Sequence, residues 1–468
     1  MTETIEPNQL AAEGLEPLTN FDLAVLPIRP REVSSSMRLN IHGRSVKLRG
    51  IRQPATGLMR WLLMLGPGVI AAAAGNDAGG IATYSQAGAQ YGYQLIWVML
   101  VITVSLAVVQ EMCARLGAAT GRGLLDLIRE RFGIGWALFA VGVVLVANGG
   151  LVASEFVGIG AATELMGFSK YLTVPCAALA LWYLIIFATY SRVERVFIAM
   201  TLVFFAYPVA AIMGHPHWGE VAHGMVIPTI QRNPDCIFLV VGLMGTTITP
   251  YMQLFQQSAL VEKGVARRHY GPERIDAYFG SLMGNIMSIF MIIATAATLH
   301  VIGKTDIDTA ADAARALEPV AGHAAKTLFA LGLLGASLLA GAVLPLATAY
   351  AIAEAFGIPK GVNLDFRRAK VFFGLFSILI VVGAVLALIP NIPVIKLLVG
   401  IQVLNGLLLP VILVFILILI NDERLTGDLK NTRLYNWLGW GTFAIVTLAD
   451  VVMLGSQLLQ ALGVIKGH

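Results

Sequence analysis

The sequence predicts an all-α integral membrane protein of about eleven spans, arranged as two inverted repeats of five with one helix appended. Three observations carry this. Of 468 residues, 57% are hydrophobic and only 13% charged, with a mean hydropathy of +0.77; soluble domains carry about 25% charged residues. Apolar stretches long enough to cross a bilayer recur along most of the chain, which excludes a single large soluble core. Two of those stretches, five spans apart, contain the same kind of interruption. Five is odd, so the second broken helix runs opposite to the first, as inverted halves require.

Residues 1–57 differ from the rest. Glu3, Glu6, Glu13, Glu16 and Asp22 precede any basic residue, and Arg29, Arg31, Arg38, Arg44, Lys47, Arg49 and Arg52 follow. No apolar run follows Met1, so no signal peptide is expected. The tail is expected to be cytoplasmic and mostly disordered, lying against an anionic leaflet. A transporter domain over 58–464 follows. Its first repeat, 59–213, holds spans 59–90 (interrupted), 93–117, 134–166, 170–190 and 193–213. Its second, 235–420, holds 235–262 (interrupted), 274–300, 325–356, 368–389 and 392–420. The appended helix covers 434–463. With the N-terminus inside, 25 of the 32 Lys and Arg fall on the cytoplasmic side, the distribution membrane insertion favours. The C-terminus then lies outside, as does the acidic stretch "GKTDIDTAADAARALEP". Cys113, Cys176 and Cys236 show no CxxC pairing and are expected to be buried structural thiols.

The interruptions carry the chemistry. In "GNDAGG" an alanine-rich helix breaks around Asn76, Asp77, Gly79 and Gly80. Non-helical backbone inside a bilayer is tolerated only where it lines a polar cavity, and a mid-membrane carboxylate needs a partner. Unwinding frees carbonyls such as that of Ala74, and the first half-helix ends with its negative dipole facing the gap. A carboxylate beside bare carbonyls forms an oxygen cage for a cation; a protonated Asp77 at a simple hinge is the alternative. In "GTTITPYM", Pro250 has no N–H and releases carbonyls near Thr246, while Thr246, Thr247 and Thr249 add hydroxyls. Threonines bonded back onto a proline-kinked helix are the plainer reading there. Two such breaks in inverted register favour cation transport.

"GPGVIAAAAGNDAGGIATYSQAGAQYGYQLIW", "HPHWGEVAHGMVIPTI", "GLMGTTITPYMQLFQQS" and "NDERLTGDLKNTRLYN" resemble the Nramp family of divalent-metal transporters over about residues 60 to 463. The resemblance implies a LeuT-like fold with discontinuous first and sixth helices, in agreement with the topology above. Nramp proteins carry Asp-Pro-Gly-Asn at the first break, where this chain has Asp77, Ala78, Gly79 and Gly80. At the second they carry a methionine followed by Pro-His, where Thr249, Pro250 and Tyr251 stand. The implied metal set is Asp77, the carbonyls of Ala74 and Thr246, Gly80, Thr249 and Gln402 in the tenth span. Asn76, Glu155 and Tyr251 are expected to contact the hydrated ion. Losing a soft thioether turns the site toward Mg²⁺ and Mn²⁺, and Mg²⁺ prefers to keep several waters. Gly80 makes room for them. This combination resembles the Nramp-related magnesium transporters.

Proton-driven relatives use the histidine replaced here by Tyr251 and acids along the third span, where Glu155 persists but Val152 and Leu145 replace others. Uncoupled import of partly hydrated Mg²⁺, with Mn²⁺ accepted, is the expected activity. A proton-coupled Mn²⁺/Fe²⁺ importer is the first alternative. An amino-acid transporter of the same fold is the second, disfavoured because Asp77 would repel a substrate carboxylate. The metal is cargo, so no cofactor is implied. The partners expected are the divalent ion and the bilayer, without nucleic acid, around a functional monomer. No HExxH, P-loop or GxSxG arrangement suggests an enzyme. His215 and His217 lack a third ligand nearby in sequence. Glu111, Asp276, Glu354 and Asp450 are expected to pair with neighbours or sit at helix ends.

Overall fold

The computed structural model describes residues 36–41, 44–49, 67–187, 193, 196, 206–231, 233–305, 307, 309–314, 325–390 and 393–462. Two units are distinct, Met1–Arg60 and Trp61–His468. In the first, β1 (Ser36–Ile41) and β2 (Arg44–Arg49) pair antiparallel, from Ser36 opposite Arg49 to Ile41 opposite Arg44. This hairpin is an addition to the expected tail. Its signal is the period-two alternation of Met37, Leu39 and Ile41 and of Val46 and Leu48.

The second unit is helical. Its first broken span comprises α1 (Pro67–Ala74) and α2 (Ala78–Tyr91). Then come α3 (Ile96–Thr120), α4 (Leu124–Phe132), α5 (Ile134–Leu165), α6 (Lys170–Phe187), α7 (Ala206–Met213) and α8 (Trp218–Val226). The second broken span comprises α9 (Pro234–Thr247) and α10 (Pro250–Glu262). It is followed by α11 (Tyr270–Thr295, extended by a π turn to His300), α12 (Ala310–Ala314) and α13 (Ala325–Phe356). Finally come α14 (Lys370–Ala387), α15 (Val394–Ile420), α16 (Glu423–Thr426) and α17 (Arg433–Ala461). Among the described residues, nine helical runs are long and apolar enough to cross a membrane. Two expected spans are not among them. The first is split into halves too short to count, and 193–213 lies mostly outside the described residues.

Span α5 packs against α13 and α14, while α3 and α1 pack against α11. Without a hydrophobic drive between helices in lipid, close approach depends on small residues. A Cβ on Gly280 would stand 2.5 Å from the Gly68 carbonyl oxygen. Only glycine permits that contact. The start of α1 is held there by Asp276, whose Oδ2 accepts from Gly68 N at 2.6 Å. Arg115 of α3 donates to the carbonyls of Leu429 and Lys430 and to Glu111 Oε2, clamping the "NDERLTGDLKNTRLYN" joint to the bundle.

Two expectations change, for Cys176 and Asp450. Cys176 is exposed, on the outer side of α6, because that helix packs along only part of its circumference. Leu145, which stands where the resemblance places an acid, is 39% exposed on α5. Glu111, Asp276 and Glu354 have partners as expected, but neither carboxylate oxygen of buried Asp450 does.

Candidate cation site

The first break begins where α1 runs out. Gly75 N still reaches Ala71 O at 3.2 Å, but Asn76 N turns to Ala73 O at 3.0 Å. Asn76 is pinned elsewhere: its Nδ2 donates to Gly284 O at 3.1 Å and its Oδ1 accepts from Ser288 Oγ at 2.6 Å. In this conformation its amide is engaged by α11. The chain restarts at Asp77, extended (φ −68°, ψ −178°), whose Oδ1 caps α2 by accepting from Gly80 N at 2.5 Å. Asp and Asn are favoured caps because they satisfy orphan N–H groups of a helix start. A second carboxylate shares this task. Glu155 Oε2 accepts from Ala78 N at 3.2 Å and its Oε1 accepts from Ser154 Oγ at 3.1 Å.

At the second break α9 stops at Thr247, and Thr249 is extended (φ −71°, ψ 141°) without a side-chain cap bond. Pro250, opening α10, cannot donate to the Thr246 carbonyl. Thr247 is occupied, its Oγ1 bonding the Tyr84 hydroxyl at 2.9 Å. The breaks are joined directly, because Tyr251 donates its hydroxyl to Ala74 O at 2.6 Å. In this conformation the Ala74 carbonyl is thus held by Tyr251. Gln402 of α15 donates its Nε2 to Asp77 Oδ1 at 2.9 Å. It reaches there because Gly79 and Gly245 offer no side chain; a Cβ on either would stand 2.1 Å from Gln402 Nε2 or 2.0 Å from Gln402 O.

Four oxygens are left over. Asp77 Oδ2, Thr246 Oγ1, Thr249 Oγ1 and Gln402 Oε1 are all buried without a hydrogen-bond partner. Buried polar atoms of this kind call for a bound water or ion. Beside Gly80 the position of an added Cβ lies 2.9 Å from Gly75 O and Thr246 Oγ1 and 3.2 Å from Asp77 Oδ1. That small volume is ringed by oxygen, and any side chain at position 80 would fill it. Among the described residues no group of three or more His, Cys, Asp or Glu could hold a metal. A cation here would meet one carboxylate and neutral oxygens, a hard donor set. One residue escaped the sequence reading: Met252 of α10 lies against the first break, its Sδ 3.0 Å from where a Gly75 Cβ would stand.

Two broken helices meeting across a buried carboxylate, within a bundle of apolar spans, define a LeuT-like membrane protein. The chain belongs to the Nramp family, described as natural resistance-associated macrophage protein-like, which matches residues 68–456. It is 30% identical over 407 residues to the divalent metal cation transporter MntH of Klebsiella pneumoniae subsp. pneumoniae, covering 85% of this chain and 95% of that protein. Among solved structures, the manganese transporter of Eremococcus coleocola superposes with a TM-score of 0.69 at 19% identity, covering 87% of this chain and 90% of its own. MhsT, solved with L-phenylalanine, superposes with a TM-score of 0.54 at 13% identity, covering 83% and 98%. These two likenesses concern the fold alone.

Proposed function

We propose that this protein carries divalent cations across the membrane by alternating access, with partly hydrated Mg²⁺ as its main cargo, Mn²⁺ also accepted, and no proton coupling. The observation that carries the reading is the set of four unpartnered buried oxygens from Asp77, Thr246, Thr249 and Gln402, one carboxylate among neutral donors. Family membership and the divalent metal named for the Klebsiella relative support the cargo class. Mg²⁺ holds its waters at octahedral geometry and is bound by one or two carboxylates. A single carboxylate beside the space left by Gly80 suits that habit. Inside-negative potential alone draws a divalent cation inward with about 4.6 kcal/mol per 100 mV, so no second ion is needed. The functional unit in this reading is a monomer with its N-terminus in the cytoplasm.

Proton-coupled Mn²⁺ import is the second reading. What favours it is Glu155, buried and bonded to the N–H of Ala78, the residue next to Asp77. Uptake of Mg²⁺, Mn²⁺, Ca²⁺ and Cd²⁺ into proteoliposomes, with a pH dye inside, separates the two. Mg²⁺ entry with a flat dye signal is the expected result. Acidification in proportion to metal influx would assign the protein to the coupled branch.

A further inference from the structure

A cavity of about 640 Å³ lies between α3, α9 and α17, with Trp97, Val101, Met244, Ile248, Ile445 and Ala449 in its wall. Ligand sites occupy roughly 300–1,000 Å³, so the volume suits a sizeable guest. Its few polar side chains are already paired. Trp97 Nε1 donates to Thr229 O at 3.1 Å, the Ser105 and Thr442 hydroxyls bond each other at 2.9 Å, and Gln231 Nε2 donates to Gln94 Oε1 at 3.1 Å. Water would find nothing to bind, and such cavities stay dry and admit apolar guests.

Each of the three helices belongs to a run long and apolar enough to span a membrane. Leu448 and Val452 in its lining are exposed, so with these helices crossing a bilayer the opening faces hydrocarbon. One end adjoins polar loop residues at Gln231 and carries Trp97, and tryptophan prefers the headgroup level. The other end runs inward to Met244 and Ile248. We propose that this groove holds one acyl chain of a phospholipid, its headgroup beside Gln231 and its tail against Met244 and Ile248. Those two residues flank Thr246, and Ile248 lies within the second break. The lipid tail thus packs on the back of the non-helical stretch that carries Thr246 and Thr249. With the N-terminus inside, the lipid comes from the extracytoplasmic leaflet.

Phosphatidylcholine brominated on its acyl chains quenches tryptophan by contact, and Trp97 sits in the groove wall. In such vesicles Trp97→Phe should remove a quenched component, which reports the share due to Trp97. Ala449→Phe, which fills the groove, should cut that share at least twofold. An unchanged share in Ala449→Phe, or no quenching attributable to Trp97, would overturn the proposal. Native mass spectrometry of the unmodified protein, equilibrated with phosphatidylcholine, provides a check independent of any variant's folding. One retained lipid per chain is expected; a second copy of the chain in its place, or no retained lipid, counts against it. Neither readout depends on cation transport.

Discussion

Asp77 divides its carboxylate between two tasks. Oδ1 builds the local structure, accepting from Gly80 N and Gln402 Nε2, while Oδ2 remains without a partner. Thr249 shows the same availability, capping α10 by backbone position while its hydroxyl stays unpaired. If these oxygens select hard cations, Thr249→Met should shift preference from Mg²⁺ toward Cd²⁺ by about tenfold or more, read as the ratio of their uptake rates. Adding Gly80→Asn should strengthen the shift, although the Gly75 carbonyl must then move. An unaltered ratio in both variants would place selectivity outside the breaks. Met252→Leu is the matching control: it removes the thioether near Gly75, and the Mg²⁺/Cd²⁺ ratio should hold within about twofold if that sulfur is not a donor. Asp77, Thr246 and Thr249 were legible in the sequence because break chemistry is local, whereas Gln402 is pointed to only by the resemblance to the family. The turning of Asn76 toward Ser288, the Tyr251 bond to Ala74 and the approach of Met252 were not legible. Each depends on which helix lies opposite.

Helix pairing sets the site's dimensions. The approach of α9 to α15 rests on Gly245, where a Cβ would collide with Gln402 O and with Gly406 N at 2.4 Å. Gly245→Val should force the helices apart, costing about 1–3 kcal/mol of stability. It should also withdraw Gln402 from Asp77, lowering Mg²⁺ uptake at least tenfold; normal uptake and thermal stability would show that the pair tolerates separation. Glu155 accepts from Ala78 N at the start of α2, so an acceptor oxygen should matter more there than charge. Glu155→Gln should retain uptake within about threefold, whereas Glu155→Leu should lose about tenfold or more, as removal of supporting groups around metal sites does. Equal losses in both would show that the negative charge itself is required. The long apolar spans were readable from hydropathy, but α4 and α8 lie in joints where no long apolar run announces them. The outward face of Leu145 was equally hidden, since α5 is apolar around most of its circumference.

For the whole molecule, the proposal is that two inverted halves with a break in each form a buried site reached alternately from either side. The distribution of Lys and Arg predicts a cytoplasmic N-terminus. A protease added outside intact cells should leave the N-terminal tail uncut, whereas the same protease applied to inside-out vesicles should remove it; the opposite pattern would reverse the proposed topology. In the proposed reading, Tyr251 and Val152 supply no proton station near neutral pH. An imposed proton gradient should therefore not drive metal accumulation, and accumulation lost in Glu155→Gln would show that one carboxylate suffices. The central claim is that the unpartnered oxygen of Asp77 provides the only negative charge on the transported ion. Mg²⁺ and Mn²⁺ uptake by proteoliposomes of Asp77→Ala, matched to the parent protein in gel-filtration profile and thermal unfolding, tests it most directly. Uptake should fall to the level of protein-free vesicles for both ions. Uptake near that of the parent in the folded variant would contradict the account.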